Sequence, residues 1–250
     1  MPAEERGSNR YALMWSGGKD SALALWRARQ RGLRVNWLVN IHDRATERVR
    51  FHATPVPAIA SQAEAAGVSL MSVPTDWETF DGSLRETFSA LVEQGCRGVV
   101  FGDIHLADVR GWYEDRTRAA GLEHVEPLWG DDPRSLLDEF VAIGGRAVLT
   151  CVETAKLDVS WLGRVIDNDF LRDVQMTGID PCGENGEYHS FTFAGPFFAR
   201  PLAWRAGQRR NDGRFAQLDV TVDGTDRRWT STTMMKTTAV SRIVKFSRSR

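Results

Sequence analysis

The chain has 250 residues, of which 42% are hydrophobic, 26% charged and 10% aromatic, a composition that excludes disordered, collagen-like and small disulfide-stapled proteins. The 32 basic and 33 acidic residues leave a formal net charge of -1, so the whole molecule lacks the positive field of a nucleic-acid or membrane-surface binder. Three cysteines without a CxxC spacing and a charged amino terminus without an apolar run argue against disulfides, structural zinc and a membrane span, and they predict a soluble, cytoplasmic protein.

The first half of the chain alternates short apolar runs with helical patterns. Strands are predicted at 11–15, 35–41, 68–73 and 98–101, and helices at 22–31, 57–66 and 84–94. This alternation indicates an α/β fold with a doubly wound parallel sheet that is covered on both faces. Ligands of such sheets bind beyond the carboxyl ends of the strands, so function is expected in the segments after Trp15, Ile41, Val73 and Phe101.

Turn-forming residues cluster at Pro127–Pro133 and predict a domain boundary there. Beyond it we predict a helix at 135–143, a strand at 147–152, a helix at 161–174 and a polar loop at 178–188. An alternating run at 215–222, the turn signal Asp223-Gly224 and a second run at 228–233 predict a β-hairpin. The expected organisation is a first domain at 1–128, a smaller second domain at 129–200 and a hairpin extension at 201–250.

The extension differs in charge from the rest of the chain. From Arg200 to Arg250 there are 12 basic and 4 acidic residues, a net charge of +8, against a net charge of -9 before it. The favoured interpretation is a solvated charged tail, and contact with a protein acceptor or with RNA is the alternative.

The segment SGGKDS, residues 16–21, lies between the first predicted strand and the first predicted helix. A glycine pair there allows a tight turn and exposes amide N–H groups at the positive end of the helix dipole, which suits a phosphate. Ser16 and Ser21 add hydroxyl groups, Lys19 adds positive charge, and Asp20 could hold a magnesium ion that travels with the phosphates. The spacing is neither a Walker A loop nor GxGxxG. A helix N-cap formed by Ser16 or Asp20 is the structural alternative.

Two further positions follow predicted strands. Gly102 and Asp103 come after the fourth strand, where a carboxylate would face the nucleotide or its magnesium, with helix capping as the alternative. His52 comes after the second strand and its loop, close to the expected nucleotide, with packing or capping as the alternative.

The densest polar segment is GIDPCGENGEYHSF, residues 178–191. A thiol, two carboxylates and an imidazole fall within eight residues there: Cys182, Glu184, Glu187 and His189. Gly183 and Gly186 permit turns that would aim the carboxylates and the imidazole inward, where they could bind ammonium, position an amine or accept a proton. A solvated acidic turn is the alternative, and Cys182 is more often packed than nucleophilic in such a setting.

Five motifs together carry a resemblance to a known family. They are SGGKDS at 16–21, GDIHLADVR at 102–110, EPLWG at 126–130, WLGR at 161–164 and GIDPCGENGEYHSF at 178–191. In their order and spacing the chain resembles the diphthine-ammonia ligase family of PP-loop ATPases over roughly residues 10 to 200. The resemblance implies a nucleotide domain of the adenine nucleotide α-hydrolase type followed by a substrate domain.

The resemblance also implies a reaction. A substrate carboxylate attacks the α-phosphate of ATP, pyrophosphate leaves, and ammonia displaces AMP from the acyl adenylate to form an amide. With the observations above, the expected ATP-binding residues are Ser16, Gly17, Gly18, Lys19, Asp20, Ser21, His52, Gly102 and Asp103, with Asp20 also a magnesium ligand. Expected catalytic residues are Glu184, Glu187 and His189. Expected substrate-binding residues are Cys182, Gly183, Asn185, Gly186 and Tyr188.

The acceptor is a protein-borne or small-molecule carboxylate in this interpretation, and the oligomeric state is left open. Two other functions stay open at this point. Another PP-loop adenylating enzyme, such as a tRNA thiolase, would need a paired cysteine relay that Cys96, Cys151 and Cys182 do not obviously supply. A non-catalytic adenine nucleotide sensor would bind ATP without releasing pyrophosphate.

Overall fold

The computed structural model describes residues 9–223 and 242–244. Its first half contains β1 (Arg10–Met14), α1 (Lys19–Gln30), β2 (Arg34–Asp43), β3 (Arg48–Val49), α2 (Val56–Ala66), β4 (Ser69–Thr75), α3 (Phe80–Glu93), β5 (Gly98–Val100), α4 (Ala107–Ala119) and β6 (Glu123–Val125). Its second half contains α5 (Pro133–Ala142), β7 (Arg146–Glu153), a 3₁₀ turn (Val159–Trp161), α6 (Asn168–Val174), β8 (Tyr188–Ala194), β9 (Trp204–Asn211), β10 (Phe215–Val222) and β11 (Arg242–Val244). None of the helices in these ranges is long and apolar enough to cross a membrane.

The first sheet has the strand order β11-β4-β2-β1-β5-β6 in the described residues, with β3 paired to β2. Strands β4, β2, β1, β5 and β6 run parallel. Alternate side chains of β1 enter different layers: Leu13 packs in the cluster that includes α1 and α2, and Ala12 packs in the cluster that includes α3. The predicted doubly wound α/β fold is therefore confirmed, because both faces of the parallel sheet are covered by helices.

The second sheet is antiparallel and has the order β8-β7-β10-β9. Strand β10 pairs with β9 across the turn at Asp212–Arg214 and also with β7. The described hairpin is therefore formed by β9 and β10, and it shares a sheet with the strands of the predicted substrate domain. The predicted return strand at 228–233 lies outside the described residues, and the division at 128 and 200 stays a prediction.

The predicted helix at 161–174 was wrong in its first half. The chain makes a 3₁₀ turn at Val159–Trp161, passes through Gly163 at a φ of +89°, and bridges Val165 to Val148 before α6 begins. A new helix starts because Asp167 caps it, accepting a hydrogen bond from the amide of Phe170 at 3.0 Å. Helix α4 was not predicted, because Thr117 is the one buried residue of this mostly polar helix and its apolar period is weak.

A single hydrophobic cluster joins the two sheets. It includes Leu13 of β1, Leu25 of α1, Ile59 of α2, Leu149 of β7 and Val220 of β10, all of them fully buried. Helices α1 and α2 thus lie between the parallel sheet and the antiparallel sheet. This packing places the loop before β8 beside the carboxyl ends of β1 and β5.

Candidate functional site

A cavity of about 530 Å³ opens where the loop before β8 meets the carboxyl ends of the parallel strands. This volume is in the range of small-molecule sites, roughly 300–1,000 Å³. Twelve predicted site residues line it: Ser16, Lys19, Asp20, Ser21, His52, Gly102, Asp103, Cys182, Gly183, Glu184, Tyr188 and His189. The other five do not line it: Gly17, Gly18, Asn185, Gly186 and Glu187.

The turn at 16–18 needs glycine for two different reasons. Gly17 has a φ of +83°, and a Cβ there would lie 2.6 Å from Gln62 Oε1 and from Ile59 Cδ1. Gly18 is the N-cap of α1, and a Cβ there would lie 2.8 Å from His52 Cε1. Neither Ser16 nor Asp20 occupies the capping position, so the alternative of an ordinary side-chain cap is wrong.

Gln62 fastens this turn to the second sheet. Its Nε2 donates to the carbonyls of Gly17 at 2.9 Å and Thr192 at 2.7 Å, and its Oε1 accepts from Trp15 Nε1 at 2.9 Å. The amide of Thr192 also donates to Gly17 O at 2.9 Å. Gln62 was not predicted as a site residue, because it is one of three polar residues on α2, with Ser61 and Glu64, and the sequence does not distinguish it from the other two.

Lys19 connects the turn at residues 16–21, named the phosphate turn after its predicted ligand, to the loop before β8. Its ammonium group, 4% exposed, donates to Asp20 Oδ2 at 2.8 Å and to the carbonyl of Cys182, and it lies 5.0 Å from the centre of the Tyr188 ring. Burial alone would lower the pKa of Lys19, but the Asp20 carboxylate raises that pKa well above its usual value. The residue therefore brings a permanent positive charge to the cavity.

Three carboxyl groups face the same space. Burial, with a further contribution from Asp20, raises the pKa of Glu184 to about 7. Burial and the nearby Glu126 raise the pKa of Asp103 to about 6. Burial also raises the pKa of Asp20, although Lys19 opposes this effect. Asp103 is not the cap of α4, whose N-cap is Leu106, so the capping alternative for Asp103 is wrong.

Two neutral imidazoles complete the wall above the phosphate turn. The rings of His52 and His189 lie 4.6 Å apart, and His52 Nδ1 is 3.2 Å from the carbonyl of Ser190. Burial lowers the pKa of His52 to about 4. Burial, His52 and Lys19 lower the pKa of His189 well below its usual value. Both rings are uncharged at neutral pH and can donate hydrogen bonds without adding charge.

The loop before β8 holds its two glutamates in different places. Glu184 reaches the cavity and accepts a hydrogen bond from the amide of Ile104 at 3.1 Å. Glu187 is 4% exposed and lies within the loop, 3.4 Å from both the Asp180 amide and Asn185 Nδ2. Its Oε2 has no hydrogen-bond partner among the described residues. The tertiary structure thus places Glu184 in the cavity and Glu187 outside it, although the sequence predicted the same role for both.

Cys182 contacts Lys19 through its backbone carbonyl, and its thiol is turned towards Pro133. Its carbonyl accepts from Lys19, and its Sγ donates to the carbonyl of Pro133 at 3.1 Å. Burial raises the pKa of the thiol far above its usual value, which disfavours a thiolate. Cys96, Cys151 and Cys182 are free and buried, so they do not form the paired relay that a thiolase would need.

The cavity also has an apolar end that was not predicted from the sequence. It is formed by side chains from β1, β2 and the segments after β2 and β4: Met14, Val39, Ile41, Val49, Phe51, Trp77 and Phe80. Arg50 also lines this end. These residues come from separate strands and loops, and each looks like an ordinary core or surface residue in the sequence.

No group of three or more histidine, cysteine or acidic side chains among the described residues is arranged to hold a metal ion by itself. Magnesium that arrives with a nucleotide needs only one or two carboxylates, since phosphates and water supply its other ligands. Asp20 lines the cavity beside the phosphate turn and fits this lesser requirement.

Comparisons with known proteins agree with one another. The family model of the diphthamide synthase N-terminal domain matches residues 9–124, and that of the diphthamide synthase C-terminal domain matches residues 132–231. A Rattus norvegicus protein named diphthine–ammonia ligase is 24% identical over 220 residues, which are 77% of this chain and 82% of that protein. Proteins of the same name from Mus musculus (23% identical over 218 residues, 77% and 82%) and Danio rerio (26% over 211 residues, 75% and 83%) match similarly.

Proposed function

Because the chain belongs to the diphthamide synthase family, we propose that it is an ATP-dependent ligase that joins ammonia to a carboxylate, as in the conversion of diphthine to diphthamide. The observation that carries this proposal is the junction of the phosphate turn and the loop before β8. Lys19 contacts both Asp20 and the Cys182 carbonyl, so a triphosphate on the turn would lie beside Glu184.

ATP fits the polarity of the cavity. The triphosphate would lie against the first turn of α1, where Ser16 and Ser21 add hydroxyl groups and Lys19 adds positive charge. The base would occupy the apolar end formed by Val39 and Ile41. Magnesium, held through Asp20, would neutralise charge on the phosphates.

The reaction has two balanced steps. An oxygen of the acceptor carboxylate attacks the α-phosphorus, the bond to the β-phosphate oxygen breaks, and pyrophosphate leaves. Ammonia then attacks the acyl carbon, AMP leaves, and the amide nitrogen loses a proton. Glu184, with a pKa of about 7, is suited to accept that proton near neutral pH. The neutral His52 and His189 would donate hydrogen bonds to oxygens that gain negative charge.

Glu187 has a positioning role in this proposal. Its contacts are with Asp180 and Asn185 of its own loop, and it does not line the cavity. Asn185, Gly183, Gly186 and Tyr188 would likewise shape the loop. A Cβ at Gly183 would lie 2.8 Å from the Tyr188 ring, so the loop requires glycine there.

The test combines ATP, magnesium, ammonium and a diphthine-bearing elongation factor with the protein, and it measures AMP, pyrophosphate and acceptor mass together. The ligase proposal expects one AMP and one pyrophosphate for each amide formed. If AMP forms at the same rate with and without this acceptor, diphthine is not the substrate. The adenylation step of the proposal would then stand, with a different carboxylate as its acceptor. Bound ATP without any AMP would contradict the ligase and favour a nucleotide sensor.

The two glutamates give a matched pair of variants. Glu184→Gln should lower the rate of amidation more than tenfold, which is about 1.4 kcal/mol of transition-state stabilisation. Glu187→Gln should destabilise the loop and leave the dependence of rate on pH unchanged. The base assignment is wrong if Glu187→Gln, and not Glu184→Gln, removes that dependence.

A further inference from the structure

Arg50 lies between the reaction cavity and a second, smaller cavity. The second cavity has a volume of about 200 Å³ and is formed where the segment after β2 meets β9 and β10. Its polar lining includes Arg48, Arg210, Asp43 and Gln217. Arg50 and its neighbour Phe51 line both cavities, so a molecule that occupied both would pass this guanidinium.

The hydrogen bonds of Arg50 are incomplete. Its Nη2 donates to the carbonyl of Thr75 at 2.9 Å, and the Asp43 carboxylate lies 3.9 Å away. Its Nε and Nη1 are buried and have no hydrogen-bond partner among the described residues. A buried charged group with unsatisfied donors is costly unless a ligand supplies the acceptors.

The other arginines of the second cavity already have partners. Arg48 and Arg210 both pair with the carboxylate of Asp219, and Arg48 also donates to the carbonyl of Ala53 at 2.7 Å. One carboxylate thus serves two guanidinium groups, and the cavity keeps an excess of positive charge. This charge favours an anionic occupant, and Arg50 has the free donors to bind it.

The position of Arg50 separates it from the phosphate turn. Its anchor, Thr75, ends β4, and β2 lies between β4 and β1. Two strand spacings are about 10 Å, so phosphates on the turn after β1 are not the natural partners of Arg50. The Trp77 indole lies over the guanidinium, 4.4 Å from ring centre to Cζ, and is 71% exposed.

We propose that Arg50 is a specificity-determining residue that binds an anionic group, a carboxylate or a phosphate, of the acceptor in the second cavity. The assignment of this anionic group to the acceptor rests on the proposed ligase function. The acceptor would thus carry a negative charge besides the carboxylate that reacts, and it would enter past Phe51 and Trp77. Phe51 has a φ of +65°, is 55% exposed and lines both cavities, so its ring lies beside the path between them.

The first experiment observes the Arg50 Nε–H group directly by NMR on the full ¹⁵N-labelled chain. The Arg50→Lys variant assigns the resonance, because it removes this signal alone. Succinate and inorganic phosphate are titrated separately, with α,β-methylene-ATP and magnesium at saturation, and adenosine and the nucleotide analogue are each also titrated alone. We expect a saturable shift of the resonance by at least one of these anions while the nucleotide analogue stays bound, and the comparison identifies the preferred anion.

Three outcomes would overturn the proposal. One is the absence of any shift with either anion. Another is a shift caused by adenosine alone, which would assign Arg50 to the base. The third is a shift caused by the nucleotide analogue that prevents the anion effect, which would assign Arg50 to the phosphates of ATP.

The second experiment measures amidation kinetics with the diphthine-bearing elongation factor. Arg50→Met should raise the KM for the acceptor at least tenfold, with kcat and the KM for ATP within about threefold of the wild-type values, and Arg50→Lys should restore part of the loss. Arg44→Met is the matched control, because Arg44 is exposed on the same segment, donates to the Pro74 carbonyl and lines neither cavity. An unchanged acceptor KM in Arg50→Met would overturn the assignment.

The two experiments separate the two proposals. If the wild-type protein does not amidate this acceptor, the proposed substrate is wrong, and the NMR titration still decides whether Arg50 binds an anion beside a bound nucleotide. If amidation proceeds and Arg50→Met is indistinguishable from wild type, the ligase proposal stands and the role of Arg50 is wrong.

Discussion

At the scale of single residues, backbone conformation decides which side chains the phosphate turn tolerates. Gly17 has a positive φ, and its space is closed by Gln62 and Ile59. We expect Gly17→Ala to lower the free energy of unfolding by about 1–3 kcal/mol and to weaken ATP binding at least tenfold. Denaturant unfolding and calorimetric titration with ATP measure the two effects.

Gly82 offers a matched control for that substitution. It lies in α3, is exposed, and would meet nothing within 4 Å if it carried a Cβ. Gly82→Ala should therefore raise the free energy of unfolding by about 0.5–1 kcal/mol, because alanine loses less backbone entropy in a helix. Equal losses in both variants would contradict the conformational requirement at Gly17.

The raised pKa of Glu184 makes a prediction about stability and pH. An acid whose pKa rises on folding, here from 4.5 to about 7, binds more protons in the folded state, so its contribution to stability is present below about pH 4.5 and is lost as pH rises from there to about 7. Glu184→Gln removes this loss. The difference in free energy of unfolding should be small at pH 4 and reach roughly 1–3 kcal/mol in favour of Glu184→Gln at pH 8.

Denaturant unfolding of both proteins at several pH values measures this difference. Glu86→Gln is the control, since Glu86 is exposed on α3, and it should follow the wild-type protein across the range. A difference between Glu184→Gln and wild type that does not change with pH would contradict the buried position of this carboxyl group.

At the scale of elements, α2 fastens the phosphate turn to β8 through one side chain. Gln62 is fully buried and makes three hydrogen bonds, to Trp15, Gly17 and Thr192. Gln62→Met keeps the volume and leaves those polar groups without this partner, so we expect a loss of about 2–4 kcal/mol in the free energy of unfolding and weaker ATP binding.

Ser61→Ala on the same helix is the matched control. Among the described residues, Ser61 donates only to the carbonyl of Pro57, at 3.3 Å, and the loss of its hydroxyl group should change the free energy of unfolding by less than about 0.5 kcal/mol. Denaturant unfolding compares the variants. If Gln62→Met is as stable as Ser61→Ala, the proposed connection between α2, the turn and β8 is wrong.

At the scale of the whole molecule, the cavity is shared between the parallel sheet and the loop that leads into the antiparallel sheet. ATP at 100 times its Kd should stabilise the fold by about 2.7 kcal/mol, which corresponds to a rise in Tm of roughly 5–10 °C for a chain of this size. Hydrogen exchange should show protection by ATP at residues 178–190 as well as at residues 16–21. Protection confined to 16–21 would contradict a shared site.

Local sequence was sufficient for much of the fold and for the outline of the site. The alternation of strands and helices, the SGGKDS turn and the loop with Glu184 and Glu187 are visible because each depends on neighbouring residues and on spacing along the chain. Helix α4 and the break at Gly163 were not predicted, because a weak apolar period and a glycine with a positive φ are hard to recognise in the sequence.

The tertiary structure decided the rest. Only the packing of β8 beside α1 distinguishes Glu184, which lines the cavity, from Glu187, which lies within its own loop. Only the register between segments far apart in the chain brings Gln62 to Gly17 and Arg50 to Thr75. The sequence by itself determined the family, the sheet and the phosphate turn, and the three-dimensional packing determined which polar groups face the cavity, because burial and contact depend on residues that are remote in sequence.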